Sequence, residues 1–313
     1  MNWVTMNRSL LWSISGIFGI LILATLIIWI LKKKVNQKTY LELSQRIRSW
    51  WIMATVFTVA MVLNRNVSLV FFGLISFLAL KEYLTIIPTR KSDRYVLFLT
   101  FLSIPFQYFW VAIEWYGLFI IFIPVYMFLF LPLHMVIIGD TKEFLRSAGT
   151  IHWGLMTMVF SISHVAYLLV LPALTNSRTG GAGLVLFLVV LTQLNDVAQY
   201  FWGTLFGKHK IIPKVSPNKT WEGFIGGILT TSAISILLSS VLTPFSLYMA
   251  FAAGLIISIA GFIGDVTISA LKRDIGIKDS GTILPGHGGI LDRIDSLTYT
   301  APLIFHFVKY FYY

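Results

Sequence analysis

The chain has 313 residues, 57% hydrophobic, 15% aromatic and only 12% charged, with a formal net charge of +11 and no cysteine. Soluble domains carry about a quarter charged residues, so this sequence lacks the polar surface that a water-soluble core of its size requires. The missing cysteines exclude disulfides and thiolate metal sites. The positive charge is spread over short loops rather than gathered into a patch, so no nucleic acid partner is expected.

Apolar runs of spanning length recur along the chain and predict an all-α, polytopic integral membrane protein. The predicted spans are 10–31, 50–63, 67–87, 95–113, 116–139, 153–174, 184–206, 224–243, 247–271 and 296–313, about ten in all. The first is longer than the apolar core of a signal peptide, with Arg8 before it and Lys32, Lys33 and Lys34 behind it. It reads as a retained helix with its N-terminus outside. That orientation puts 20 of the 24 Lys and Arg residues in connections 32–49, 81–94, 140–152, 207–223 and 272–295, the cytoplasmic side by the positive-inside rule. Between Lys32 and Trp51 the sequence is basic and ends in two tryptophans, suited either to the anionic inner leaflet or to a solvated loop with anchors. Polar chemistry concentrates after Leu184. The expected division is a scaffold over 1–180, which could also supply a homodimer surface, and a catalytic region over 181–313.

Two spans accept an aspartate, which costs about 2.5–3.5 kcal/mol at a helix centre on insertion scales. Asp196 lies in LTQLNDVAQYFWG, beside Gln193, Asn195 and Gln199; Asp265 lies in GFIGDVTISALKR. On a helix, Ser269, Lys272 and Arg273 share the face of Asp265. A snorkelling Lys-Arg pair that closes the helix would explain the bases but not the acid and hydroxyl in the same stripe.

The two largest cytoplasmic connections after that point are the most particular. GKHKIIPKVSPNKTWEG holds Lys208, Lys210, Lys214 and Lys219, hydroxyls at Ser216 and Thr220, and Glu222 at the start of a helix. Lysines alone would be ordinary inside charge, whereas two prolines and closely spaced donors resemble a phosphate or base clamp. KRDIGIKDSGTILPGHGGILDRID gathers eight charged residues into 24. Asp292 and Asp295 are three apart, with Arg293 between them, and project together from a helix; with Asp265 they could hold a hard divalent cation. Gly286, Gly288 and Gly289 flank His287 and could turn tightly to offer backbone N–H groups to an anion. Lys272, Arg273 and Lys278 supply the positive charge that a triphosphate needs. Acids for a metal, a glycine turn and two basic loops predict phosphoryl or nucleotidyl transfer between a soluble nucleotide and a lipid.

The run Ser269-Ala-Leu-Lys-Arg, Lys278-Asp279, His287-Gly-Gly and Asp292-Arg-Ile-Asp295, 27 consecutive residues, resembles the signature of the phosphatidate cytidylyltransferases, the CDP-diacylglycerol synthases. GKHKIIPKVSPNKTWEGFIGG is similar to that family's second loop, and the likeness runs from about Leu184 to Ala301. It implies attack by a phosphatidate oxygen on the α-phosphorus of CTP, with pyrophosphate released, Mg²⁺ required and K⁺ as a possible companion. It implies Asp265 and Asp292 as metal-binding acids supported by Asp295 and Asp196, with Ser216, Lys219, Arg273 and Lys278 on CTP or the lipid phosphate. His287 would orient a phosphate or assist a proton transfer. The expected partners are CTP, phosphatidate or a related lipid phosphate, and membrane lipids. The expected place is a bacterial inner membrane with the site facing the cytoplasm. Two positions depart from the pattern: Ile268 stands where many members have an acid, and Gln199 where a small residue is common. Alternatives are a CTP-dependent polyprenol-type kinase, a paralogue with another acceptor and an ion-coupled transporter. The Asp-Gly-x-x-Ala-Arg core of CDP-alcohol phosphotransferases is absent.

Overall fold

The computed structural model describes residues 8–32, 36–172, 179–281 and 288–313. In chain order these form α1 (Arg8–Leu31), α2 (Gln37–Leu63), α3 (Arg65–Ile86), α4 (Arg94–Ala112), α5 (Tyr116–Ile138), α6 (Phe144–Val170), α7 (Gly180–Phe206), strands β1 (Lys210–Ile212) and β2 (Ser216–Thr220), α8 (Trp221–Leu242), α9 (Leu247–Asp274), the single turn α10 (Leu291–Ile294) and α11 (Leu297–Tyr312). Nine helices among the described residues, α1 to α9, have the length and apolarity to cross a membrane. The expected tenth, α11, is helical but only 16 residues long.

An all-helical solution follows from the medium, because in hydrocarbon each backbone N–H and C=O must find its partner within the segment. Local signals set the ends. Asn36 caps α2 by accepting from the Thr39 amide at 2.8 Å, so this helix starts well before the expected residue 50. From Gln37 onward the basic stretch therefore continues the span. Asn64, in extended conformation, ends α2 and caps α3 through the Val67 amide at 2.9 Å. Likewise α6 begins at Phe144 rather than 153 and α7 at Gly180 rather than 184. Both α5 and α6 contain a π-helical stretch, Phe122–Met127 and Leu155–Phe160.

The core centres on α6, whose most apolar window is 89% enclosed, against 6% for α1 at the periphery. α6 packs against α3, α4, α7 and α11, while α7, α8, α9 and α11 form a second packed group. The β1–β2 hairpin and the described parts of the strip, 275–281 and 288–296, lie at one end of this second group. The same end carries a clasp between the α3–α4 and α5–α6 connections: Arg90 pairs with Asp93 at 2.7 Å and donates to the carbonyls of Asp140 and Lys142.

Candidate active site at the hairpin end of the bundle

The polar residues of α7 recur at helical spacing and aim at one seam. Thr192 meets Thr300 of α11 at 3.1 Å, and Asn195 accepts from Thr231 of α8 at 3.2 Å. Asp196 accepts from the Ser296 hydroxyl with both oxygens at 3.1 Å, and Gln199 accepts from Lys219 at 3.2 Å. Small residues allow the seam to close. A Cβ on Gly264 of α9 would lie 2.5 Å from the Asp295 carbonyl, and one on Gly261 would lie 3.0 Å from Asn195 Nδ2.

Two ion pairs dominate the seam's open end. Lys219, projecting from β2, binds Asp265 of α9 and lies 5.6 Å from the Phe262 ring centroid. Burial alone would lower the Lys219 ammonium; Asp265 beside it, with Asp196 and Asp295, reverses the direction and raises it. Ser269 completes the stripe by donating to Asp265 at 3.4 Å. Lys272 pairs with Asp292 Oδ1 at 2.7 Å. Asp295 is part-buried, and its carboxyl is pushed well above the usual range, first by burial and then by the charges of Asp265 and Asp196. Arg293 is near enough to Asp196 to act on it electrostatically, while its Nε is buried without a partner among the described residues.

Several expected substrate contacts are used within the protein. Asp292 Oδ2 accepts from the Ser280 amide at 3.0 Å, the Ser280 hydroxyl at 2.9 Å and the Gly289 amide at 3.1 Å. Gly289 thus points its N–H at the chain's own carboxylate rather than at an external anion. Gly288 has φ +80°, and a Cβ there would come 2.6 Å from Asp292 Oδ2. Thr220 caps α8 through the Gly223 amide at 3.2 Å and is buried. Glu222 accepts from the amides of Lys208 and His209 and from His209 Nδ1 at 2.6 Å, closing the hairpin. Arg273 donates to the Val215 carbonyl at 3.2 Å and to that of Ile277 at 3.3 Å, joining hairpin to strip. Lys278 is exposed and Ser216 half-buried. His287 lies outside the described residues. Of the two departures, Ile268 is fully buried and packs in the core, and Gln199 holds Lys219.

One participant was not anticipated from the sequence. Glu82 of α3, only 6% exposed, accepts from the Ser280 hydroxyl, from the Ile290 amide at 2.9 Å and from the Leu291 amide at 3.2 Å. The signal was available, since Glu82 is an acid within an apolar helix, the same costly feature that marks Asp196 and Asp265.

The donor set suits a hard cation. Asp265, Asp196 and Asp295 share one field, and all offer oxygen. Among the described residues no three acid or histidine side chains gather at ligand distance, and lysines hold Asp265 and Asp292. Carboxylates so engaged do not make an all-protein cage; a hard cation here would need one or two of them together with oxygens from a substrate.

Residues 44–311 match the model of the cytidylyltransferase family. The chain belongs to that family. It is 47% identical over 298 residues to the Escherichia coli (strain K12) protein described as "Uncharacterized protein YnbB", covering 95% of this chain and 98% of that one. It is 41% identical over 152 residues to a phosphatidate cytidylyltransferase of Staphylococcus saprophyticus and 43% over 129 residues to one of Staphylococcus haemolyticus. Those alignments span 48% and 41% of this chain and 58% and 50% of the relatives, so the likeness to proteins with a named substrate covers about half of each. For a cytidylyltransferase, a lysine-bearing hairpin facing membrane-embedded acids is a chemically sensible arrangement.

Proposed function

We propose that the protein transfers the cytidylyl group of CTP to phosphatidate, forming CDP-diacylglycerol and pyrophosphate, with Mg²⁺ as cofactor and the hairpin end facing the cytoplasm. The observation that carries this reading is the meeting of hairpin and spanning helix at Lys219–Asp265, within a chain of the cytidylyltransferase family. Attack by a lipid phosphate on a nucleoside triphosphate brings two polyanions together, and fixed positive charge in a water-poor cleft offsets their repulsion.

Asp265, with Asp196 and Asp295, would hold the metal; Asp292 would enter that set only by giving up Lys272. The bound metal would neutralise charge on the triphosphate and on the leaving pyrophosphate. Lys219, Ser216 and Lys278 would bind and orient phosphate oxygens from the hairpin and the strip. Arg273 would keep hairpin and strip in register through the Val215 carbonyl. Phosphatidate already carries its nucleophile as an ionised oxygen, so no side chain need remove a proton. The polar seam near α7 and α9 would let the headgroup reach these groups while the acyl chains stay in the bilayer.

The test is pyrophosphate release and CDP-lipid formation from CTP by the purified full-length protein in detergent. Phosphatidate would be compared with other lipid phosphates, because Gln199, which holds Lys219, stands where a small residue is common. CDP in place of pyrophosphate would mark a lipid kinase. No CTP turnover with any acceptor would overturn the reading.

A further inference from the structure

We infer that Glu82, on a helix remote in sequence from the signature strip, is a positioning residue for that strip, acting through Ser280 and Asp292. The inference rests on the function proposed above for its catalytic consequence, and on geometry alone for the contact itself. A carboxylate inside an apolar helix and 6% exposed is expensive unless its oxygens are matched. Here both are matched, entirely by the strip among the described partners: the Ser280 hydroxyl and Leu291 amide on Oε1, and the Ile290 amide on Oε2.

The fit is close enough to dictate residue type on the other side. A Cβ on Gly289 would overlap Glu82 Oε1, and one on Gly281 would lie 3.1 Å from the same carboxylate. The glycines at both ends of the segment 281–289 therefore make room for Glu82. From there the connection continues. Ser280 also contacts Asp292 Oδ2 at 2.9 Å through its hydroxyl and at 3.0 Å through its amide, and Asp292 Oδ1 meets Lys272 at 2.7 Å. Glu82 thus fixes Ser280 and the amides of Ile290 and Leu291, and these fix the carboxylate that holds Lys272. Reactions of this kind are sensitive to placement: a shift of about 1 Å in a supporting shell can cost about 100-fold in rate.

The experiment compares wild type, Glu82→Ala, Glu82→Gln, Gly289→Ala and the double variant Glu82→Ala/Gly289→Ala as full-length proteins in detergent. Read-outs are the thermal midpoint, kcat and KM for CTP, and hydrogen exchange at Ile290 and Leu291. Glu82→Ala is expected to lower kcat by roughly 10- to 100-fold with KM changed less than threefold, and to speed exchange at both amides. Glu82→Gln, which keeps one acceptor oxygen, should recover part of kcat. Gly289→Ala should be impaired alone and partly relieved by adding Glu82→Ala, because the second change removes the overlapping carboxylate and frees the Ser280 hydroxyl, itself 2.5 Å from the added Cβ, to rotate away. Wild-type kcat in Glu82→Ala, or single effects that simply multiply in the double variant, would overturn the inference. If Glu82→Ala does not fold, Glu82→Gln decides it: wild-type kcat with unchanged exchange at Ile290 and Leu291 in that variant would overturn the inference. If wild type turns over no acceptor, the proposed function fails; exchange then judges the contact, and unchanged protection at Ile290 and Leu291 in Glu82→Ala would overturn it.

Discussion

Lys272→Met removes the ammonium that meets Asp292 while keeping an aliphatic stem in place. Both side chains are largely enclosed, 12% and 7% exposed, with Nζ 2.7 Å from Oδ1. Breaking a buried pair from one side typically costs about 3–5 kcal/mol, because the surviving charge loses its partner. Asp292 is not stranded, since Oδ2 keeps the Ser280 amide, the Ser280 hydroxyl and the Gly289 amide. Hydrogen bonds to a charged group contribute about 1.5–3 kcal/mol each, so the expected loss is about 2–3 kcal/mol, below the middle of the range for a lone buried charge. The pH dependence supplies the sharper test. Burial alone would raise the Asp292 carboxyl; the Lys272 hydrogen bond and charge and the amides of Ser280 and Gly289 together hold it below the usual range. A carboxyl depressed in the folded state contributes stability that is present above its unfolded value, about pH 4, and is lost as pH falls through the folded value. Lys272→Met weakens that depression. The difference in thermal midpoint between wild type and variant, measured in detergent with EDTA throughout, should therefore be full at pH 7 and shrink below about pH 4. Equal midpoints at pH 7, or a gap of constant size down to pH 3, would refute this account of the pair.

Asp265→Asn should lower CDP-lipid formation by roughly 100-fold or more and raise the Mg²⁺ concentration for half-maximal rate, with the thermal midpoint also lowered because Lys219 loses its carboxylate partner. Full activity at wild-type Mg²⁺ would remove Asp265 from the metal set. Gly264→Val places a side chain where the Asp295 carbonyl stands 2.5 Å from Cβ, and should destabilise by about 1–3 kcal/mol in thermal unfolding. Thr220→Val removes the α8 cap and should cost about 1 kcal/mol, whereas Thr220→Ser should retain most of it; equal midpoints for the two would show that the hydroxyl is not capping.

Much of the fold was legible because the medium imposes it. Apolar runs of spanning length allow only helices, and the family signature lies in one continuous stretch. Boundaries were less legible. Polar residues of α2 such as Gln37 and Glu42 belong to the helix although they interrupt the hydrophobic run, and only the Asn36 cap marks the start. At the site, the shared helical face of Asp265 and Ser269 followed from spacing, and the Lys219–Asp265 pair joins two segments that were each singled out. The employment of individual groups did not follow. Thr220 and Glu222 have the chemistry of ligand donors, but whether an oxygen meets a ligand or a nearby amide depends on where the backbone turns. Glu82 was missed because its partner segment is about 200 residues away, and no local period connects them.

The π-helical stretches in α5 and α6 alter how one helix addresses its neighbours. A wider turn absorbs an additional residue, so side chains beyond it are rotated by about 100° relative to those before it. In α6 the widened turn falls midway, at Leu155–Phe160. α3 packs along α6 before, through and beyond the widened turn, while α11 packs mainly beyond it, so an apolar wheel drawn through all of Phe144–Val170 at an even step would misplace the second half by about one residue's rotation.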